Sequence, residues 1–185
     1  GIDIVLNLTV PAAHHAVSLA AVRAGKHVYS EKPLATSLAD ALSLHRAAKA
    51  KRVKVACAPD TILGGAHQQA RHALDAGTVG KVTSGTAAVL SHGMEAWHPN
   101  PGFFFQPGGG PILDMGPYYV AQLINLLGPV KRVAAFATKA SKTRTITSQP
   151  LAGQTIKVAT PTSIQALLEF KSGATITLLA SWDVW

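Results

Sequence analysis

The residues that point most directly to chemistry are an acidic residue, a lysine and a proline in succession, Glu31-Lys32-Pro33. They follow residues 27–30, whose apolar and aromatic side chains predict a strand. In an open α/β sheet, ligands bind at the carboxyl ends of the strands. A lysine there offers a cation and a proton donor, and the proline restricts its backbone. Lys32 is therefore a candidate catalytic residue; the alternative is a surface ion pair ahead of a helix.

A second run of interest begins at the three glycines of residues 108–110 and continues through Asp114 and Tyr118. An early proline, an apolar stripe and the closing Gly128 predict one helix that starts at the last of these glycines. Asp114 and Tyr118 are four residues apart, so on one helix a carboxylate and a phenol share a face. Pro117 would kink that helix or require it to begin later. The glycines lack the lysine and hydroxyl residue of a P-loop and predict close backbone packing.

The elements that must position these residues follow from the spacing of the apolar side chains. In the first part of the chain we predict strands at 2–10, 27–30 and 53–58, and helices at 11–24 and 38–50. This order is typical of a parallel sheet with helical connections. Pro59-Asp60 interrupts the pattern, so we predict one domain over residues 1–59 and a second over 60–185.

The second domain is predicted to mix helix and strand. We expect a helix at 67–76, strands at 81–90, 163–170 and 174–181, and an exposed polar excursion at 143–155. Between residues 91 and 106 lies a loop rich in proline and aromatic residues. Aromatic faces with polar tips suit a hydroxylated ligand, so Trp97 and His98 are candidate substrate-binding residues. The alternative is that these aromatic side chains anchor the loop on the core or at a subunit interface.

Composition narrows the class of protein. With 48% hydrophobic and 14% charged residues, the 185-residue chain has ample material for a buried core, and its apolar runs are too short to cross a bilayer. The single cysteine, Cys57, predicts a reducing cytoplasm and a small core residue rather than a nucleophile. No two of the eight histidines have the spacing of metal ligands on one helical face, so we predict no metal site.

The net charge of +8 raises the question of nucleic acid. The basic residues gather in two groups: Lys49, Lys51, Arg52 and Lys54, and then Lys139, Lys142 and Arg144. Neither group is interleaved with aromatic residues and no nucleic-acid-binding motif is present, so we predict a nonspecific basic surface with neither nucleic acid nor membrane as a partner.

Taken together, GKHVYSEKPLA and GGGPILDMGPYY resemble the glucose-fructose oxidoreductase, inositol dehydrogenase and MocA family of NAD(P)-dependent oxidoreductases. The resemblance implies the C-terminal part of a Rossmann-like parallel-sheet domain, followed by an α+β domain with an open, mostly antiparallel sheet. It implies NAD or NADP as the cofactor, and a sugar, polyol or related hydroxy compound as the substrate. It also implies a homo-oligomer built through the second sheet.

The resemblance assigns roles residue by residue. Lys32 matches the catalytic lysine, Glu31 its neighbour near the nicotinamide ribose, and Asp114 the aspartate of a D-x-x-x-H pattern. Tyr118 stands where that pattern has histidine, which leaves its role in proton transfer open. Thr9, at the end of the first predicted strand, is assigned to the cofactor site.

His14 follows Thr9 in a turn that resembles the family's T-P-x-x-x-H pattern, and it is assigned to the cofactor site as well. The alternative for His14 is a solvated histidine in the first turn of a helix. The chain has no G-x-G-x-x-G turn, so the pyrophosphate site is missing. We expect a fragment that is inactive alone, and residues 182–185 predict an unfinished strand.

The function predicted on this basis is hydride transfer between a nicotinamide and a carbinol carbon. Lys32 would polarise the reacting oxygen, Asp114 would orient the substrate, and Tyr118 would exchange the proton. A homologue that binds nucleotide or ligand without turnover is an alternative, and an NAD-dependent glycosidase is another. The identity of the substrate is left open.

Overall fold

The structure, a computed structural model, describes residues 1–184 and divides into two compact units, Gly1–Asp60 and a second that begins at Thr61. The first unit contains β1 (Ile4–Asn7), α1 (His14–Arg23), β2 (His27–Ser30), α2 (Leu38–Lys51) and β3 (Val55–Cys57). Its strands pair in parallel in the order β1-β2-β3. The predicted Rossmann-like parallel sheet is confirmed, because short strands alternate with helices that cover the sheet.

The helices of the first unit are set by caps and by a small core. Ser37 begins α2: its hydroxyl accepts a hydrogen bond from the Asp40 amide at 3.1 Å and donates one to the Asp40 carboxylate at 2.8 Å. Four buried apolar side chains form the small core between α1, α2 and the sheet: Val22, Val28, Leu44 and Ala48. This packing places the carboxyl ends of β1 and β2 side by side.

The second unit contains α3 (Gly65–Asp75), β4 (Ser84–Leu90), α4 (Pro111–Asp114), α5 (Gly116–Leu127), β5 (Val130–Thr138), β6 (Thr143–Thr145), β7 (Thr155–Lys157), β8 (Ser163–Phe170) and β9 (Thr175–Ser181). The main sheet has the order β4-β9-β8-β5, in which β4 and β9 are parallel and the other two pairings are antiparallel. Strands β6 and β7 form a separate antiparallel pair. The predicted mostly antiparallel sheet is confirmed.

One face of the main sheet carries α5. Along β8 every second side chain is buried, from Ile164 to Phe170, as expected for a strand with one covered face. Tyr119 and Leu123 of α5 pack on this face together with Leu168 and other apolar side chains of β8 and β9. The sheet therefore fixes the position of α5 and of the residues at its start.

The structure differs from the sequence predictions in three places. Most of the segment 143–155 is exposed, as expected, but Ile146 and Ser148 are buried, and Ile146 packs with Phe105 and Trp182 in a second small core. Strand β5 was not predicted at all. The strand expected at 182–185 does not continue, since β9 ends at Ser181 and Trp182 is buried; Trp185 lies outside the described residues.

Within residues 1–184, no helix combines the length and the apolar composition that a bilayer span requires.

Candidate functional site

The Glu31-Lys32-Pro33 turn begins where β2 ends, at Ser30. The Glu31 amide donates to the Asn7 carbonyl at 2.8 Å, and the Lys32 amide donates to Glu31 Oε2 at 2.9 Å. Pro33 is buried and follows a cis peptide bond, and Lys32 is partly buried. The turn is thus attached to the carboxyl ends of both β1 and β2, where the sequence placed it.

Asn7 organises the end of β1. Only 1% of its surface is exposed, and its amide nitrogen donates to the His14 carbonyl at 3.0 Å and to Ser18 Oγ at 2.8 Å. Its amide oxygen accepts from Thr9 Oγ1 at 2.7 Å. Thr9 is exposed and lies two residues beyond the carboxyl end of β1. Sequence reasoning missed Asn7, although a polar residue inside an apolar strand is the signal that could have found it.

His14 is buried beneath this turn, with 1% of its surface exposed. Its Nδ1 lies 2.6 Å from the Pro33 carbonyl oxygen and its Nε2 lies 2.8 Å from the Thr9 carbonyl oxygen. The alternative of a solvated histidine is therefore wrong, because the ring is enclosed by its own unit. Its assignment to the cofactor site stays a prediction, and both ring nitrogens already face protein oxygens.

Cys57 ends β3 beside the same turn. Its thiol contacts the Glu31 carbonyl at 3.6 Å and the Ala58 carbonyl at 3.0 Å. Burial, with a smaller contribution from the Glu31 charge, raises the pKa of the Cys57 thiol to about 11. Such a thiol stays protonated at neutral pH, which argues against a nucleophile.

Asp114 and Tyr118 belong to two consecutive helices, so the single helix predicted through both residues is wrong. Asp114 ends the single turn of α4, Met115 separates the helices, and α5 begins at Gly116. Pro117 lies in the first turn of α5, where its missing N–H removes no intrahelical bond. The helix therefore begins later, as Pro117 had suggested.

The glycine run that precedes Asp114 is confirmed as a site of close packing. A Cβ at Gly109 would collide with the Phe104 carbonyl, and one at Gly110 would lie 2.8 Å from the Pro161 carbonyl oxygen. Gly110 also has a φ of +88°, which side chains rarely adopt. These contacts set the start of α4 and hence the place of Asp114.

A cavity of about 420 Å³ lies within the second unit beside α5. Its lining consists of Thr61, His67, Ala87, Met115, Tyr118, Tyr119, Gln122 and Leu123. Apolar surface with a few polar tips suits a small hydroxylated ligand. Tyr118 thus lines a cavity, and its assignment to the site stays a prediction. His67 and Gln122 were missed; the i, i+4 spacing of Tyr118 and Gln122 was the available signal.

The aromatic loop of residues 91–106 is anchored at one end and open at the other. Phe105 is fully buried, whereas 64% of Trp97 is exposed. The His98 ring stands edge-on to Trp97 at 5.5 Å and to Phe104 at 5.1 Å. The anchoring alternative therefore applies to Phe105, while Trp97 and His98 remain predicted substrate residues.

A buried ion-pair cluster holds this loop. Arg144 Nη1 lies 2.5 Å from Glu95 Oε1, and Nη2 pairs with the Asp183 carboxylate and donates to the Trp182 carbonyl at 2.9 Å. The three charged side chains are 9%, 6% and 12% exposed for Arg144, Glu95 and Asp183. The expectation that Arg144 belongs to a basic surface is wrong, because its charge is neutralised inside the second unit.

Lys32 lies in the first unit, whereas Asp114 and Tyr118 lie in the second, so the common site that their assigned roles require stays a prediction. Among residues 1–184, no group of three or more histidine, cysteine, aspartate and glutamate side chains could hold a metal ion.

Two family models match the chain. One, described as the GFO/IDH/MocA C-terminal domain, matches residues 67–185. The other, described as an oxidoreductase family with an NAD-binding Rossmann fold, matches residues 1–58. The Rossmann-fold match lies within the first compact unit, and the C-terminal-domain match lies within the second.

Individual proteins give the same result. The chain is 34% identical over 118 residues to 1,5-anhydro-D-fructose reductase of Ensifer adhaerens, covering 62% of this chain and 34% of that protein. It is 27% identical over 139 residues to D-xylose dehydrogenase of Paenarthrobacter nicotinovorans, covering 72% and 36%. Each alignment spans about a third of the relative's length.

Solved structures share the fold. An NAD binding oxidoreductase from Klebsiella pneumoniae superposes with a TM-score of 0.84 at 27% identity, covering 98% of this chain and 48% of that one. Levoglucosan dehydrogenase in complex with NADH and L-sorbose superposes with a TM-score of 0.84 at 23% identity, covering 99% and 49%.

Proposed function

Because the chain belongs to the GFO/IDH/MocA family of oxidoreductases, we propose that the whole protein transfers a hydride between a nicotinamide cofactor and a sugar or polyol. The observation that carries the proposal is Lys32 at the carboxyl end of β2, in the unit that matches an NAD-binding Rossmann family. Ligands of open parallel sheets bind at this edge. The names of the two curated relatives support a sugar as the substrate class.

The residues present suit the nicotinamide end of such a cofactor. Thr9 is exposed beyond β1, while Glu31 and Lys32 follow β2, so polar groups line the edge where the strands end. The bound nicotinamide would supply the hydride chemistry, and these residues would hold its ribose and orient it. NAD and NADP are supplied in turn to find which of the two the protein uses.

Each candidate side chain has a distinct role in the proposal. Lys32 donates a hydrogen bond to the reacting oxygen and stabilises negative charge on it. Asp114 orients a substrate hydroxyl, and Tyr118 exchanges the proton. The competing assignment gives the proton to Lys32 or to a bound water and leaves Tyr118 as a binding group.

The substrate side of the proposal rests on the cavity beside α5. The polar groups of His67, Tyr118 and Gln122 lie among apolar side chains in its lining. The apolar side chains can contact the C–H faces of a sugar, and the polar groups can bind its hydroxyls. Trp97, exposed on the aromatic loop, offers a further surface for a C–H face. Small sugars and polyols are therefore the class to test first.

The test measures NADH formation from NAD and NADPH formation from NADP across a panel of aldoses, polyols and anhydro sugars. It compares the unmodified whole protein with its Lys32→Met and Lys51→Met variants. Loss of Lys32 is expected to lower kcat by roughly 10²–10³, the usual effect of removing one donor that stabilises developing negative charge on an oxygen. Lys51, exposed at the end of α2, is the matched control and should leave kcat unchanged. Equal activity of both variants would overturn the proposal.

Two other readings have distinct outcomes in the same assay. A non-catalytic homologue would bind NADH and reduce no NAD with any sugar of the panel. An NAD-dependent glycosidase would release a free sugar from a glycoside without net NADH formation, which product analysis would reveal. Retention of both Lys32 and Asp114 favours the dehydrogenase over the non-catalytic reading.

We also propose a homo-oligomer formed through the outer face of the main sheet. On the face opposite α5, Phe136 is 82% exposed and Leu167 is 52% exposed. Large exposed apolar side chains on a strand surface are typical of an interaction surface.

The cytoplasmic location expected from the single cysteine stays a prediction.

A further inference from the structure

We propose that Arg71 is a positioning residue for the cavity beside α5: it holds α3 against the end of α5 and thereby fixes the ring of His67 in the cavity wall. His67 is the side chain through which Arg71 affects a bound sugar. The importance of this wall for a sugar rests on the function proposed above. The position of the His67 ring does not, because it follows from contacts within the second unit alone.

The guanidinium of Arg71 joins the two helices. Its Nη1 donates to the Asn125 carbonyl at 2.8 Å and to the Leu126 carbonyl at 2.9 Å. Helix α5 ends at Leu127, so both oxygens belong to its last turn, where carbonyls have no N–H partner within the helix. A cation at this end also interacts favourably with the helix dipole. Arg71 is thus a C-terminal cap of α5 that is supplied by α3.

Asp75 fixes the orientation of the guanidinium. Arg71 Nε donates to Asp75 Oδ2 at 3.0 Å, and Nη2 pairs with the other carboxylate oxygen, which leaves Nη1 for α5. The hydrogen bond from Arg71 lowers the pKa of the Asp75 carboxyl, so this partner stays charged at neutral pH. Among the described residues, those that line the cavity do not include Arg71. Arg71 therefore holds two helices together and does not bind a ligand.

The face of α3 that carries Arg71 also carries His67, four residues earlier. On α5, Tyr118, Gln122 and Asn125 share a face in the same way, and the first two line the cavity together with His67. The Arg71 cap is therefore one helical turn away from the cavity wall. The structure gives the His67 ring no hydrogen bond or ion pair within residues 1–184, so the place of this ring depends on the position of α3.

The first experiment observes the His67 ring directly in the whole protein. Its Cε1–H nuclear magnetic resonance signal is identified by its loss in His67→Ala. Arg71→Met should shift or broaden this signal, and the milder Arg71→Gln should act in the same direction. Arg46→Met is the matched control and should leave the signal unchanged, because Arg46 is exposed on α2. An unchanged signal in the folded Arg71 variants would overturn the proposal.

The second experiment measures KM and kcat for the best sugar of the panel in Arg71→Met, His67→Ala and the double variant. Each single change should raise KM by roughly threefold to tenfold, the value of one neutral hydrogen bond, and leave kcat within about twofold. Because Arg71 acts through His67, the double variant should have no higher KM than His67→Ala alone. His72→Ala, at an exposed position of α3, is the control and should leave both values unchanged.

The outcomes separate the two proposals. A folded Arg71→Met enzyme with normal KM, or increases in KM that multiply in the double variant, would overturn the positioning role even if the melting temperature were lower. A wild-type protein that forms neither NADH nor NADPH with any sugar of the panel would overturn the proposed function. The His67 signal needs no substrate and would still decide whether Arg71 sets the position of the ring.

Discussion

At the scale of single residues, Tyr118 is the position that distinguishes this chain from the D-x-x-x-H pattern. It lines the cavity beside α5 together with His67 and Gln122. If the phenol transfers the proton, Tyr118→Phe should lower kcat by roughly 10²–10⁴ with little change in cofactor affinity. Tyr118→His should retain part of the activity by supplying another acid and base. The measurement is kcat against pH for both variants.

The competing role gives a different result. If Tyr118 only binds substrate, Tyr118→Phe should raise KM and keep the pH profile of kcat, and the proton role would pass to Lys32 or water. Gln122→Ala is the matched control, because it removes a polar group from the same wall of the cavity and leaves the phenol in place.

Cys57 supports a prediction about pH. Burial, with a smaller contribution from the Glu31 charge, raises the pKa of its thiol to about 11. The thiolate is the species that reacts, so alkylation of native Cys57 by iodoacetamide should be slow at pH 8 and rise about tenfold per pH unit up to pH ~10. In urea the same curve should level off near the ordinary thiol range. A plateau below pH 9 in the native protein would contradict the burial.

At the scale of elements, the cluster of Arg144, Glu95 and Asp183 determines how β6 and β7 attach to the rest of the second unit. Removing one partner of a buried ion pair leaves the charge of the other partner buried and unpaired. This loss lowers the free energy of unfolding by roughly 3–5 kcal/mol. Arg144→Met should therefore destabilise the second unit by about this amount, as measured by urea unfolding.

Arg132 offers the control for that comparison. It is exposed and pairs with Glu169, whose pKa it lowers with help from Lys131. Surface pairs contribute little, so Arg132→Met should change the unfolding midpoint far less than Arg144→Met. Equal shifts for the two variants would mean that Arg144 behaves as a surface charge.

The same elements show what the sequence could and could not predict. Strand β2 was predicted with its observed bounds, and β8 and β9 were found because apolar residues alternate on both sides of the Lys171–Gly173 turn. Strand β5 was missed because nearly all of its side chains are exposed, so no alternation of burial shapes its sequence. Lys32 and Asp114 were identified as candidate site residues by their sequence motifs and not by the periodicity of their elements.

The positions of Arg144 and His67 depend on contacts between distant segments. Arg144 meets Glu95 and Asp183 across 49 and 39 residues of chain, so its sequence neighbourhood of lysines suggested a surface group. His67 reaches the cavity only through the packing of α3 beside α5. Such pairings are set by tertiary structure, which local periodicity does not encode.

At the scale of the whole molecule, the outer face of the main sheet supports a prediction about assembly. Phe136 is the most exposed of its large apolar side chains, at 82%. If a second copy covers this face, Phe136→Glu should convert the oligomer to monomer, since a buried unpaired charge opposes association. Light scattering after gel filtration gives the mass. Leu38→Glu, at a position 75% exposed on α2, should leave the mass unchanged; a wild-type monomer would contradict the proposal.

The last prediction concerns the cofactor. The 185 residues contain polar groups at the carboxyl ends of β1 and β2 but no G-x-G-x-x-G turn, and helix N-termini preceded by such turns are what bind the pyrophosphate of a dinucleotide. These 185 residues should therefore bind NADH far more weakly than a protein that also carries the turn. Calorimetry on folded residues 1–185 should detect no binding at micromolar concentrations.

Nicotinamide mononucleotide, which lacks the adenylate half, provides the control. Its affinity should be similar to that of NADH in these 185 residues, because neither ligand gains contacts from a pyrophosphate turn. In a protein with the turn, NADH should bind far more tightly than the mononucleotide. A micromolar dissociation constant for NADH with residues 1–185 would show that the strand ends around Thr9 and Lys32 supply most of the binding energy. The phosphate-binding turn would then serve to orient the cofactor more than to hold it.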